Sequence, residues 1–247
     1  LSLFFSIKSY AAEPLVSVEW LKNNLSNEKL VVLDIRNKID GGSKDKTLDI
    51  IRKYKKKIDY WVSEKDRGLY DAFNKGISVA RGNFIGIINS DDIYTKNSLR
   101  IIAKYIEKNK DIDFIFGSVK KHWGILHGYK PQKIFYSWGF YSSHSTGFFL
   151  KKTSAQKVGL YNLKYKYHAD YDYFYRLIVT HKMKGIATKK NEITGIFRRG
   201  GFSSKINFNK LFKEELIIRW NNGQNILLIL IIVLYKFIKH FKKIIKS

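Results

Sequence analysis

The chain has 247 residues, 45% hydrophobic and 27% charged. This is the composition of a folded chain, long enough for one domain with a full core. It contains no Cys, which excludes disulfides, thiolate nucleophiles and thiolate metal sites. Lys and Arg number 46 against 21 Asp and Glu, a formal net charge of +25. Such a balance favours polyanionic partners, namely anionic lipid or phosphorylated substrates. A genome that enriches Lys, Ile, Asn and Tyr would produce the same charge without a partner. No nucleic-acid-binding module is recognisable, so no nucleic-acid partner is expected.

In chain order, the apolar run Leu1 to Ile7 precedes Ser9-Tyr10-Ala11. It reads either as the end of a signal-like leader, residues 1–12, or as an apolar strand. From Glu13 to Asn37 a short helix is expected, with Ser17 as N-cap, and then a strand through Leu30-Val-Val-Leu33. Asp40-Gly-Gly-Ser43 is a turn. Thr47 to Lys57 is amphipathic at helical spacing, and Ile58 to Val62 suits a short strand. Leu69 to Ala80 is predicted as a helix, closed by Gly82 near its C-terminus. Phe84 to Ile88 is predicted as an apolar strand, Ser98 to Lys108 as a helix and Phe114 to Phe116 as another strand. Alternation at this pitch implies an α/β sheet, largely parallel. Gly117 to Phe149 is aromatic and resolves into no regular element. A Tyr-rich helix is predicted around Asp170 to Val179. Ile226 to Leu234 is wholly apolar and runs into a Lys-rich segment. It is shorter than a bilayer span, so residues 223–247 are expected to form a basic hydrophobic helix lying in a membrane interface, or else a core helix.

The chemistry concentrates at Asn89-Ser90-Asp91-Asp92, which closes an apolar strand. In open α/β sheets ligands bind beyond the carboxyl ends of strands. Neighbouring carboxylates there repel unless a cation neutralises them, and a hard divalent ion would also grip a diphosphate. Simple helix capping is the competing account of the same residues.

Four ordered motifs carry a resemblance. They are Asp40-Gly-Gly-Ser-Lys-Asp-Lys-Thr47; Glu64-Lys-Asp66-Arg-Gly68-Leu-Tyr70-Asp71-Ala-Phe-Asn74-Lys75-Gly76 followed by Ala80-Arg-Gly82 and Asn89-Ser-Asp-Asp92; His168-Ala-Asp170-Tyr-Asp172-Tyr-Phe-Tyr-Arg176; and Gly200-Gly-Phe-Ser203. Residues 40–222 thereby resemble the bacterial family 2 glycosyltransferases. The resemblance implies a GT-A-like (Rossmann-like) mixed sheet with flanking helices. It also implies a sugar transferred with inversion from a nucleotide donor, UDP-linked by expectation, to an acceptor hydroxyl. Asp40, Ser43, Asp66, Asn74, Lys75, Asn89 and Asp91 would line the nucleotide-sugar. Asp91 and Asp92 would hold a divalent ion, Mg or Mn. Asp170 would be the general base, with Asp172 the alternative acid, and His144 and Asp172 would face the acceptor. The acceptor would be a glycan or a lipid-linked glycan of the cell envelope. The protein would sit in the cytoplasm, peripheral to the inner face of the plasma membrane.

The N-terminal part departs from that pattern. The strand and turn that open the family have no counterpart, so the first strand of the sheet is expected to be missing or replaced. Residues 13–39 resemble instead the opening of a rhodanese domain, through Val16-Ser-Val-Glu-Trp20-Leu and Leu30-Val-Val-Leu-Asp34-Ile-Arg36. The catalytic Cys of that family is absent, which excludes sulfur transfer. The junction at Ile39-Asp40 reads as a fusion. Two competing accounts follow: a remnant that keeps the fold without turnover, and a membrane-surface binding protein.

Overall fold

The structure, a computed structural model, describes residues 2–7, 33–35, 53, 60–61, 66–89, 92–136, 145–197 and 206–245. Among these, seven strands form the main sheet. In chain order they are β1 (Ser2–Ile7), β2 (Leu33–Ile35), β3 (Tyr60–Trp61), β4 (Phe84–Asn89), β6 (Phe114–Phe116), β9 (Phe148–Lys151) and β10 (Gly185–Ala187). Across the sheet the order is β10-β6-β9-β4-β1-β2-β3. A smaller sheet joins β5 (Ile93–Tyr94), β11 (Ile193–Ile196), β7 (Ser118–Lys121) and β8 (Gly124–Leu126). The helices are α1 (Leu69–Val79), α2 (Ser98–Lys108), α3 (Lys133–Tyr136), α4 (Lys152–Val158), α5 (Ala169–Tyr175), α6 (Phe208–Asn221) and α7 (Ile226–Ile245).

The main sheet is mixed, and the largely parallel sheet expected from helix–strand alternation is corrected here. Only β2–β3 and β6–β10 pair in parallel, whereas β9 runs against both β4 and β6, and β1 runs against β4 and β2. Both reversed strands were hard to see in the pattern. β9 ends the aromatic Gly117–Phe149 stretch, where no strand was predicted. β1 comes from the leader-like run and stands beside β4, with Ser2 opposite Asn89 and Ile7 opposite Phe84. That is the slot where the missing first strand was expected to be replaced.

The central strands bury both faces, as the continuous apolar runs require. Successive side chains alternate between two cores. Ile85, Ile87, Phe114, Phe116, Phe148 and Leu150 pack with α1 and α5, while Phe84, Ile88, Ile115 and Phe149 pack with Leu99, Ile102 and Ile106 of α2. Gly86 lies between the cores where a β-carbon would stand 2.7 Å from Tyr94 Oη and 2.8 Å from the Phe149 ring. α1 ends on Ala80, whose amide bonds the Gly76 carbonyl, and Gly82 does not adopt the left-handed conformation expected of a helix stop.

The C-terminal helices fold back on the domain through a buried charged cluster. Arg219 is fully buried and donates to Glu215 Oε1, the Phe135 carbonyl (2.7 Å) and Gln224 Oε1 (2.9 Å). Lys236 of α7 reaches Glu215 Oε2 at 2.5 Å, and burial holds its pKa below the usual lysine range. Each charge of Glu215 is thus matched, which a buried carboxylate requires. α7 is correspondingly two-sided. Ile229, Ile232 and Lys236 are buried, whereas Leu227, Leu230, Ile231, Leu234 and Ile238 are exposed. No helix among the described residues is long and apolar enough to cross a membrane.

Two outcomes are expected in urea titrations followed by circular dichroism. Gly86→Ala should lower stability by about 1–3 kcal/mol through overpacking. Arg219→Leu should lower it by about 1–3 kcal/mol, because Glu215 and Gln224 lose a buried donor while Lys236 still matches the Glu215 charge.

Candidate functional site

The site forms where α1, β4 and α5 bring their ends together. α1 and β4 are joined by only residues 80–83, so the helix runs back along the sheet and its first turn lies near the carboxyl end of β4. At that end, the Asp92 amide bonds the Asn89 carbonyl at 3.1 Å and closes a tight turn. Asp92 is buried, and the Thr146 hydroxyl donates to its Oδ2. Asn89 Nδ2 donates to Ser145 Oγ at 2.9 Å and to Asp92 Oδ2 at 3.3 Å. The turn Ser145–Gly147 therefore locks the strand tip from the side.

These bonds settle which way the Asn89 amide points, since its nitrogen must face the Asp92 carboxylate. Asn89 Oδ1 is then left buried without a hydrogen-bond partner. A buried acceptor in this state calls for a donor or a cation. Asp92 beside it offers hard carboxylate oxygen, which suits Mg or Mn rather than a softer metal. Lys121, at the end of β7, stands with its ammonium 4.7 Å from the Phe197 ring centroid. Burial lowers its pKa, and the Asp92 carboxylate opposes that shift. Nothing in the motif pattern pointed to Lys121.

Asp170 lies half-buried in the first turn of α5. Its Oδ1 accepts the Tyr171 amide at 2.8 Å and lies 3.2 Å from Tyr70 Oη of α1. Tyr70 Oη is also 3.1 Å from the Tyr167 carbonyl. Burial, followed by the Asp170 charge, holds the Tyr70 phenol well above its ordinary pKa, so it remains a donor. Tyr70 belongs to the quoted motif, but no role was expected for it.

Other predicted residues are occupied elsewhere. Asn74 bonds both backbone groups of Tyr161, donating to its carbonyl at 2.9 Å and accepting its amide at 2.8 Å. It joins α1 to the segment after α4. Lys75 is paired with Asp66 at 2.5 Å and approaches Asp71 at 3.9 Å, and the Asp66 side chain is fully buried. Asp172 accepts Arg176 Nε at 2.9 Å and Asn222 Nδ2 at 3.0 Å, one on each oxygen. It braces the α5–α6 contact. Among the described residues no cluster of three or more acidic or His side chains could hold a metal. Asp40, Ser43, Asp91 and His144 lie outside the described residues, as do the stretch resembling a rhodanese opening except Leu33–Ile35, and Gly200 to Ser203.

Residues 38–190 match glycosyl transferase family 2. The chain belongs to this family. A PGL/p-HBAD biosynthesis glycosyltransferase of Mycobacterium tuberculosis is 27% identical over 220 residues, covering 78% of this chain and 76% of the relative. A glycosyltransferase of Methanocaldococcus jannaschii is 28% identical over 199 residues, covering 76% of this chain and 69% of its own. The fold is that of the GT-A glycosyltransferases, as solved structures agree. TarS of S. aureus superposes with a TM-score of 0.61 at 13% identity, over 88% of this chain and 40% of TarS. Its 1–349 fragment in complex with UDP-GlcNAc gives 0.58 at 14% identity, over 89% of this chain and 68% of that one. The mannosyltransferase PcManGT of Pyrobaculum calidifontis, in complex with GDP-Man and Mn2+, gives 0.58 at 15% identity, over 92% and 66%.

Asn74→Ala would strand the backbone amide and carbonyl of Tyr161 in the core. The expected loss is about 2–4 kcal/mol in urea unfolding, from two buried groups left unsatisfied.

Proposed function

We propose that this family 2 glycosyltransferase moves a sugar from a nucleotide donor, UDP-linked by first expectation, to an acceptor hydroxyl in one displacement with inversion. The observation that carries the proposal is the oxygen-rich tip of β4 at Asn89 and Asp92, taken with the half-buried Asp170 carboxylate held beside the first turn of α1. Asp91 and Asp92 would hold the divalent ion, a role the hard oxygens at this tip fit. Such an ion supplies positive charge against a departing diphosphate. Relatives of this fold carry UDP-GlcNAc, or GDP-Man with Mn2+, in their solved forms, which supports a nucleotide-sugar donor here.

The chain's own residues supply the remaining functions. Asn89 Oδ1 accepts a hydroxyl of the donor's ribose. Asp40 and Ser43 hold the base side, Asp66 and Lys75 support that wall as a pair, and Lys121 adds a cation facing the phosphates. Asp170 Oδ2, the oxygen not engaged by Tyr70, takes the proton of the attacking hydroxyl as the new bond forms. His144 would serve the acceptor. No covalent intermediate is needed, and inversion follows from one displacement at the sugar carbon.

The acceptor is a glycan or lipid-linked glycan of the cell envelope, a reading to which the PGL/p-HBAD biosynthesis relative lends support. The protein would work at the cytoplasmic face of the plasma membrane. Support comes from the outward row Leu227, Leu230, Ile231, Leu234 and Ile238 on α7, with Trp220 of α6 64% exposed alongside it. Lys239, Lys242 and Lys243 follow in sequence, which suits anionic headgroups.

Titration calorimetry with UDP and Mn2+ tests the site: binding heat is expected in the native protein and is expected to vanish in Asp91→Ala, while binding that persists in that variant would refute the assignment. Flotation with vesicles of phosphatidylglycerol and phosphatidylcholine tests the surface. The native protein should float, and Leu230→Glu/Ile231→Glu should remain in the bottom fraction.

A further inference from the structure

The acidic turn that carries Asp170 is gripped from two sides by residues far away in sequence. From one side comes Tyr70 of α1, whose hydroxyl lies 3.2 Å from Asp170 Oδ1 and 3.1 Å from the Tyr167 carbonyl. Its ring is fixed by stacking on Tyr161 at 5.5 Å and edge-on to Phe73 at 5.8 Å, so the hydroxyl has little freedom to move. From the other side comes Glu214 of α6. Its carboxylate accepts three consecutive backbone amides just before Asp170: Lys166 at 2.6 Å, Tyr167 at 2.7 Å and His168 at 2.8 Å. A carboxylate taking three such bonds is a strong and directional anchor. α6 is itself pinned to the core by the buried Glu215–Arg219–Lys236 cluster, and Asn222 at its end bonds Asp172.

This arrangement has a feature that fold maintenance alone does not need. His168 occupies the cap position of α5 and makes no side-chain bond to the helix. The start of that helix, and hence the direction of Asp170, is set by Glu214 through the backbone. Both external bonds converge on the one turn that presents the carboxylate, and the Tyr70 bond reaches the carboxylate itself.

We infer that Tyr70 and Glu214 are positioning residues for Asp170: Glu214 fixes the backbone that aims the carboxylate, and Tyr70 engages one oxygen so that the other faces the acceptor. The inference rests on the reading of Asp170 as general base. The titratable groups placed around Asp170 are Tyr70 on α1, Tyr161 after α4, His168 in the preceding turn and Glu214 on α6.

The test uses the full chain and two readouts. In Tyr70→Phe, the Asp170 carboxyl, followed by carbon NMR of Asp-labelled protein and assigned with Asp170→Asn, should titrate about one unit higher than in the native protein, as expected for one lost bond to a charged group. In Glu214→Gln, the amides of Lys166, Tyr167 and His168 should exchange at least about tenfold faster, and Glu214→Asp should recover part of that protection. An unmoved Asp170 titration in Tyr70→Phe, or unchanged exchange at the three amides in Glu214→Gln, would overturn the inference. The kinetic readout is nucleoside diphosphate release from UDP-GlcNAc or GDP-Man. Tyr70→Phe should lower kcat about tenfold with KM unchanged and should move the acid limb of the kcat profile upward. If Asp170→Asn abolishes release but the limb in Tyr70→Phe stays fixed, the positioning role alone fails. If Asp170→Asn retains full release, the general base on which it rests fails.

Discussion

The structure depends on β4 being buried on both faces. Its side chains alternate between two cores, and Gly86 in its middle has no room for even a methyl group. A strand so enclosed cannot carry polar side chains along its length. The first polar groups appear where the cores end, at Asn89 and Asp92. These residues are placed by the burial of the five before them, and the tight turn and the Ser145–Thr146 contacts then hold them in one arrangement.

The same enclosure explains how the sheet accepts a reversed neighbour. β4 needs a hydrogen-bonding partner on each edge more than it needs a particular direction. β9 supplies one side and β1 the other, both antiparallel. Antiparallel pairing is at least as favourable per residue as parallel pairing. The carboxyl end of β4 therefore stays where it would be in a parallel sheet, and the strand-tip chemistry is kept.

Charge follows a comparable logic at the C-terminal end. α6 and α7 could not be joined to the domain by apolar contact alone, because much of their apolar surface faces outward. The buried Glu215–Arg219–Lys236 cluster gives the hairpin one specific seat, while Glu214 and Asn222 connect that seat to α5. The helix that seats the hairpin thus also contacts the turn before Asp170 and the α5 helix that carries it.

Much of this was legible from the chain alone. The helices at Leu69 and Ser98 and the strands at Phe84 and Phe114 follow from apolar spacing, because period-2 and period-3.6 patterns are local properties. The glycosyltransferase family was legible too, since its motifs are short and ordered, and Asn89, Asp92 and Asp170 were singled out by them. What local pattern cannot carry is which side chain meets which across long separations. The direction of β1 and β9 depends on pairing partners some 60 to 80 residues away. That Asn74 meets both backbone groups of Tyr161, and that Asn222 stands beside Asp172, could not be read from motif position. The hydroxyl of Tyr70 and the carboxylate of Glu214 gained their meaning only when packing brought α1 and α6 against α5, since a hydrogen bond is set by distance and angle and not by order along the chain.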